Sequence, residues 1–312
     1  MNEQLIWALL GFLLPMLIGA AGVWLLVCCN KNPSGPLPPL GWSLAIGLGA
    51  SVGMLALVGF PAWKSIEAKH WLLIAVLPAA VVVSLINTIS RFPWIIHWLM
   101  RLVVVVGTVY VVLQVPIARW STNEKIGWLG GIGALMLGVW ALLHRYARQN
   151  INNPGTDESQ RTRLLVFVLG ATAGVIGGTT IASGSLIYGQ LTASLAAAIC
   201  GSWLATFGCK AGPISPRGMV DMIMPLSFGL LIADWYFGWR MQNPASPHIV
   251  AGLLAVAPLG LWATAVPWVR SRPRWQVTAW GVLAVFLLLI AAFGLAGYEA
   301  NLRSQASGPS YY

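Results

Sequence analysis

Ten apolar runs of about twenty residues each alternate along the chain with short polar or proline-rich connections. They cover about residues 4–29, 40–60, 71–90, 95–116, 127–144, 164–188, 190–208, 219–239, 248–269 and 276–299. A helix needs about 20 consecutive apolar residues to cross a bilayer core. The pattern therefore predicts an all-α fold, a polytopic integral membrane helix bundle of about ten transmembrane helices. One connection is long, HRYARQNINNPGTDESQRTR at 144–163, and it is polar enough for a flexible linker. It separates an N-terminal membrane half (1–143) from a C-terminal membrane half (164–300), which a polar tail (301–312) follows. Each half holds about five runs.

Within the sixth run Gly170, Gly174, Gly178 and Ala182 recur every fourth residue, and within the seventh Ala193, Ala197, Gly201 and Ala205 do the same. Residues four apart share one helix face. Such a stripe lets another backbone approach closely, which is how membrane helices associate without a hydrophobic drive. The second run carries a like stripe at Gly41, Ala45, Gly49 and Gly53. Pro78 in the third run matches Pro225 in the eighth, and Val115–Arg119 matches Val266–Arg270. All these correspondences lie 147 to 152 positions apart, which suggests a five-plus-five duplication. A repeat unit with an odd number of helices inverts its second copy, the architecture of many transporters.

Composition excludes a soluble domain. The chain is 58% hydrophobic and 8% charged, whereas soluble proteins carry about 25% charged residues. The net charge of +10, from 18 Lys and Arg against 8 Asp and Glu, does not indicate nucleic acid here. The basic residues sit in connections and at run ends, where they orient helices and meet anionic lipid. Odd-numbered connections hold twelve, counting Arg101 if the fourth helix begins after it: Lys31, Arg91, Arg101, Arg145, Arg148, Arg161, Arg163, Lys210, Arg217, Arg270, Arg272 and Arg274. Even-numbered connections and the tails hold six: Lys64, Lys69, Arg119, Lys125, Arg240 and Arg303. This bias places the 144–163 loop in the cytoplasm and both termini outside it. Many of the seventeen tryptophans lie at run ends, as an interfacial belt requires. Cys28, Cys29, Cys200 and Cys209 follow no metal or disulfide spacing and read as ordinary membrane-helix cysteines. The first run follows no basic segment and is too long for a signal peptide, so it reads as a retained helix.

Ionisable groups inside membrane runs are costly and default to functional candidates. Arg101 shares a helix face with His97, one turn before it, and Thr108, two turns after. Asp221 approaches from the same side of the membrane, so an Arg101–Asp221 pair is geometrically feasible. Snorkelling of Arg101 to headgroups is the favoured expectation. Asp234 lies towards the opposite surface, where it either caps a helix end in water, the favoured expectation, or faces a cavity and handles a cation or proton. Asn87, Thr88 and Ser90 close the third run. Thr179, Thr180, Ser183 and Ser185 crowd the sixth, whose Gly177-Gly178 pair invites a break. Asp234, Asp221, Arg101, His97, Asn87, Thr179, Thr180 and Ser183 are thus the candidates for a solute or ion path. Gly170, Gly174, Gly178, Ala193, Ala197 and Gly201 are the candidates for helix packing.

No phosphate-binding loop, HExxH, CxxC or GxSxG motif occurs. The four histidines are scattered, with none four residues from another. Neither a cofactor nor a metal site is expected, and no catalytic residues are. Asp221 and Asp234 are thirteen residues apart, about 20 Å along a helix, too far for a paired-aspartate protease. The leading expectation is a transporter or permease for a small solute. The alternative is a non-catalytic subunit of a larger membrane assembly, and an enzyme acting on lipid-linked substrates ranks third. The bilayer is the expected partner, with other membrane subunits or further copies of the chain possible.

Overall fold

Residues 9–29, 37–59, 67–88, 93–149, 158–208, 218–239 and 245–306 are described by a computed structural model. Every regular element among them is helical, with no strand. Ten helices among the described residues are long and apolar enough to cross a membrane: α1 Leu9–Cys28, α2 Leu40–Val58, α3 Lys69–Asn87, α4 Trp94–Val112, α5 Thr122–Ala147, α6 Gln160–Ala182, α7 Leu186–Gly208, α8 Met219–Gly238, α9 Ser246–Ala265 and α10 Arg274–Gln305. The chain is a multi-pass membrane protein. Its outer faces stay apolar, with Leu17, Leu25, Leu48, Val103, Leu287 and Ile290 exposed, because lipid rather than water surrounds them.

Small residues set the arrangement of α1, α2 and α7. Gly22 of α1 faces Ala45 of α2, where an added Cβ would lie 2.6 Å from the alanine Cβ. A side chain on Gly49 would come within 2.8 Å of the Pro15 carbonyl. On the other side of α1, Gly201 of α7 sits against the Met16 carbonyl and Gly19 against that of Ala198. Helix α1 therefore lies between α2 and α7 at backbone contact. Helices α6 and α7 form a hairpin in which Gly177 approaches Gly189 and Ala193. Gly170 faces Ile199, and Gly178 faces Phe293 of α10. Gly174 is exposed, 4.0 Å from Ala196 at its nearest, and Ala193 and Ala197 are half-buried. The close contacts of this hairpin thus run through Gly170 and Gly177.

Helix α8 occupies the centre. It lies against α2 to α7 and α9, and 78% of its most apolar stretch is buried, against 39% for α3. Its start is fixed by Gly218, which adopts φ 81°, a left-handed backbone that favours glycine. The Gly218 carbonyl accepts hydrogen bonds from Ser84 of α3 (3.0 Å) and Ser43 of α2 (3.3 Å), and these two hydroxyls also contact each other. Helix α10 covers α9 and α6.

Three features depart from the sequence expectation. Helix α6 runs unbroken through Gly177-Gly178 to Ala182, and its turn into α7 falls at Ser183–Ser185. There Gly184 (φ 103°) and Ser185 donate their N–H groups to Ile181 and Thr180, a left-handed helix ending that only glycine fits easily. The connection expected at 144–163 is helical at both ends, since the flanking helices extend as Thr122–Gln149 and Glu158–Ala182. Residues 150–157 lie outside the described residues, as do 307–312 of the expected tail, whose first part continues α10. Finally, Cys28 is disulfide-bonded, whereas Cys29 and Cys200 are free. Cys28 Sγ lies 3.7 Å from the Ala205 carbonyl of α7; Cys209, four residues further on, is outside the described residues.

Irregular backbone occurs elsewhere than in α6. Helix α8 ends in a π-turn at Asp234–Gly238. The second half of α9 is a 3₁₀ stretch at Ala257–Ala265, longer than the three to four residues such helices usually reach.

Candidate functional site

Helix α8 carries one carboxylate near each end, and each is buried among different partners. At the Gly218 end, Asp221 is 1% exposed. Its Oδ1 accepts from Arg101 Nη2 of α4 at 3.0 Å and from the Trp140 indole of α5 at 2.8 Å. Arg101 is itself 3% exposed, so it does not reach to the headgroups. The favoured snorkelling expectation is corrected: a carboxylate, an indole and an imidazole within reach offset the burial of the guanidinium. Arg101 Nη2 also donates to His144 Nδ1 at 2.8 Å, which requires that imidazole nitrogen to be unprotonated. The guanidinium carbon stands 5.5 Å from the ring centres of both Trp98 and Trp140, within cation–π range.

His97 and Thr108 are buried on the same face of α4 as Arg101. His97 Nδ1 donates to Asn87 Oδ1 of α3 at 2.6 Å, which brings these two candidates together one turn from the ion pair. Sequence reasoning missed Trp140 and His144. They stand four residues apart on one face of α5, the spacing that places two side chains beside a single partner. Among the described residues this cluster ties α4, α5 and α8 together at one end of the bundle. A carboxylate held by two donors and a neighbouring charge is suited to fixing helices rather than to exchanging a ligand.

The other end differs. Asp234 is completely buried. The expectation that it caps a helix end in water is therefore corrected; it directly follows the stretch Met219–Ala233, which is buried on nearly every side. Thr192 of α7 donates to Oδ2 at 3.2 Å, and the Thr180 hydroxyl of α6 stands beside the carboxyl. Oδ1 has no hydrogen-bond partner. No cationic side chain among the described residues is within ion-pair distance. Thr180 is held by its own helix through Ile176 and accepts from the Trp239 indole at 3.1 Å, so that Trp239 closes the site towards the membrane surface. Ser183 donates to the Thr179 carbonyl, in the usual manner of membrane hydroxyls. The hydroxyl of Thr179 is buried and has no partner.

A third buried carboxylate escaped sequence reasoning. Glu299 of α10 is 4% exposed and accepts from Ser246 of α9 at 2.6 Å. It falls at the last position of the last apolar run, where a polar tail begins to look equally natural. One turn later Arg303 donates to the Ser183 carbonyl at 2.9 Å and so anchors α10 to the α6–α7 turn. Among the described residues no group of three His, Cys, Asp or Glu side chains gathers closely enough to hold a metal ion. No known protein family and no curated protein matches this chain.

Proposed function

We propose that the protein is a transporter for a small solute, with Asp234 at the polar centre of its path. The observation that carries this reading is the Asp234 carboxyl itself. It is fully buried inside a membrane-spanning segment, with one oxygen bonded to Thr192 and the other unmatched. Burying a polar atom without a partner costs free energy, and membrane segments retain ionisable groups chiefly where solutes, ions or protons pass. The π-turn that carries Asp234 and the 3₁₀ stretch of α9 add support, since irregular backbone at membrane depth accompanies midplane sites in transporters. The five-plus-five repeat belongs to the same reading. It rests on the common offset of stripes and prolines, while the deep burial of α8 relative to α3 would make its two copies unequal.

The test is to reconstitute the purified protein in proteoliposomes on a solid-supported membrane. Amino acids, sugars, organic acids and inorganic ions are then supplied in turn. At least one solute should evoke a transient current, which Asp234→Asn, by removing the ionisable group, and Thr192→Val, by removing the hydroxyl bonded to it, should each reduce about tenfold. Size-exclusion profiles should match the wild type. Currents no different from those of empty vesicles across the panel would overturn the transporter reading.

A structural subunit or homo-oligomer is the second reading, and a specific observation favours it. Gly130, Ala134 and Gly138 form a four-residue stripe on the exposed face of α5, with nothing within 4 Å of a Cβ built on either glycine. Helix α5 is buried over only 22% of its most apolar stretch. Such a face would suit another membrane helix. Native mass spectrometry from mild detergent distinguishes the two readings: a fixed stoichiometry with other chains makes the subunit reading the leading one.

A further inference from the structure

A cleft of about 160 Å³ opens at the end of the bundle that bears the odd-numbered connections. Four arginines line it: Arg161 at the start of α6, Arg270 and Arg272 in the turn after α9, and Arg274 at the first position of α10. No carboxylate belongs to its lining; Asp157 and Glu158, adjacent in sequence, lie outside the described side chains. The cleft has a firm wall. Tyr146, buried at the end of α5, bonds to Thr264 at 3.2 Å, and Thr264 in turn donates to the Leu261 carbonyl. Arg161 and Arg274 make further contacts within the chain. Arg270 and Arg272, both exposed, therefore carry the inference.

A helix N-terminus is the positive end of its dipole and prefers an anion, and α10 begins here with Arg274. That N-terminus and the exposed Arg270 and Arg272 make a site suited to a bound anion. Guanidinium forks match phosphate oxygens in pairs. The depth is informative as well. Trp268 and Trp280 meet edge to face at 5.2 Å beside the cleft, and Trp275 is 69% exposed. Tryptophans of this kind mark headgroup level.

We infer that the Arg161–Arg270–Arg272–Arg274 cleft is a binding site for a phosphate-bearing anion, supplied as a lipid headgroup or as a free phosphate compound. The site is independent of Asp234 and of the transporter reading.

The test has two arms on the full-length protein. In one, native mass spectrometry counts phosphatidic acid retained from nanodiscs of phosphatidylcholine doped with it. In the other, calorimetry in neutral detergent measures pyrophosphate binding. The double variant Arg270→Gln/Arg272→Gln should weaken binding about tenfold or more, the effect of removing charge-assisted hydrogen bonds. Arg270→Lys/Arg272→Lys should recover only part of it, and guards against a folding artefact. Arg119→Gln, an exposed arginine at the opposite end, should bind as the wild type does. Loss in both arms supports a phosphate site open to free ligands. Loss in the lipid arm, with no pyrophosphate bound by any variant, supports a headgroup site. Equal binding by the wild type and the glutamine variant in both arms overturns the inference, as does a loss that Arg119→Gln reproduces.

Discussion

Arg101 shows how one side chain can hold a membrane core together. Its guanidinium serves Asp221 and His144 and lies between two indole rings, so three helices meet at one charge. Removing one member of a buried pair strands the other and costs about 3–5 kcal/mol. Arg101→Met and Asp221→Leu should each lower the unfolding temperature in detergent markedly. The double variant should lose less than the sum of the two, because neither charge is then left alone. Additive losses in this cycle would mean that the two residues act separately. Asp234 stands in contrast. It has hydroxyl and indole neighbours and no cation within ion-pair distance among the described residues, so a change there should cost less stability than one at Asp221.

At the scale of the helix, glycines fall into two groups. An added side chain at Gly201 meets the Met16 carbonyl of α1, a backbone atom that cannot turn aside. At Gly174 it meets almost nothing. Gly201→Leu should therefore destabilise the α1–α7 contact by about 3 kcal/mol or more, at the upper end of overpacking effects. Gly174→Leu should leave the isolated protein's melting temperature unchanged. If it instead breaks an association seen by native mass spectrometry, that face of α6 binds another helix. A melting temperature unaltered by Gly201→Leu would contradict the close approach of α1 and α7. Both glycines belong to four-residue stripes in the sequence. Spacing gives the shared face of a helix but not its direction, which depends on where the neighbouring helices sit. The ten spans were legible because length and apolarity decide them. The α6–α7 turn was misplaced because Leu186, Ile187 and Tyr188 extend the apolar run past Gly184, the residue whose backbone makes the turn. The Arg101–Asp221 pair was legible as a possibility from the shared membrane side. The burial of Asp234 was not, since hydropathy does not show that α8 lies at the centre of the bundle, surrounded by other helices.

At the scale of the molecule, two observations on one face of the bundle oppose each other. With Arg101 inside α4, eleven of the eighteen basic residues lie in the odd-numbered connections or at their edges, which favours the cytoplasm for that face. Yet Cys28, at the edge of the first of those connections, is disulfide-bonded, and disulfides persist mainly in oxidising compartments. Cys29 and Cys200 are free. Peptide mapping without reduction, on protein alkylated during lysis, shows whether Cys28 is cross-linked or carries a free thiol. Reporter fusions at residue 150 and at the C-terminus, placed on opposite faces by ten spans, then fix the orientation. A cytoplasmic reporter at 150 together with a free Cys28 thiol would show that charge governs the topology and that the bond does not form in the cell. An external reporter at 150 with the cross-link present would invert the orientation proposed from charge. It would also expose the arginine cleft to phosphate compounds outside the cytoplasm. The charge count carries the stronger mechanism, because insertion is decided before a disulfide can form, and the expected outcome is the cytoplasmic reporter.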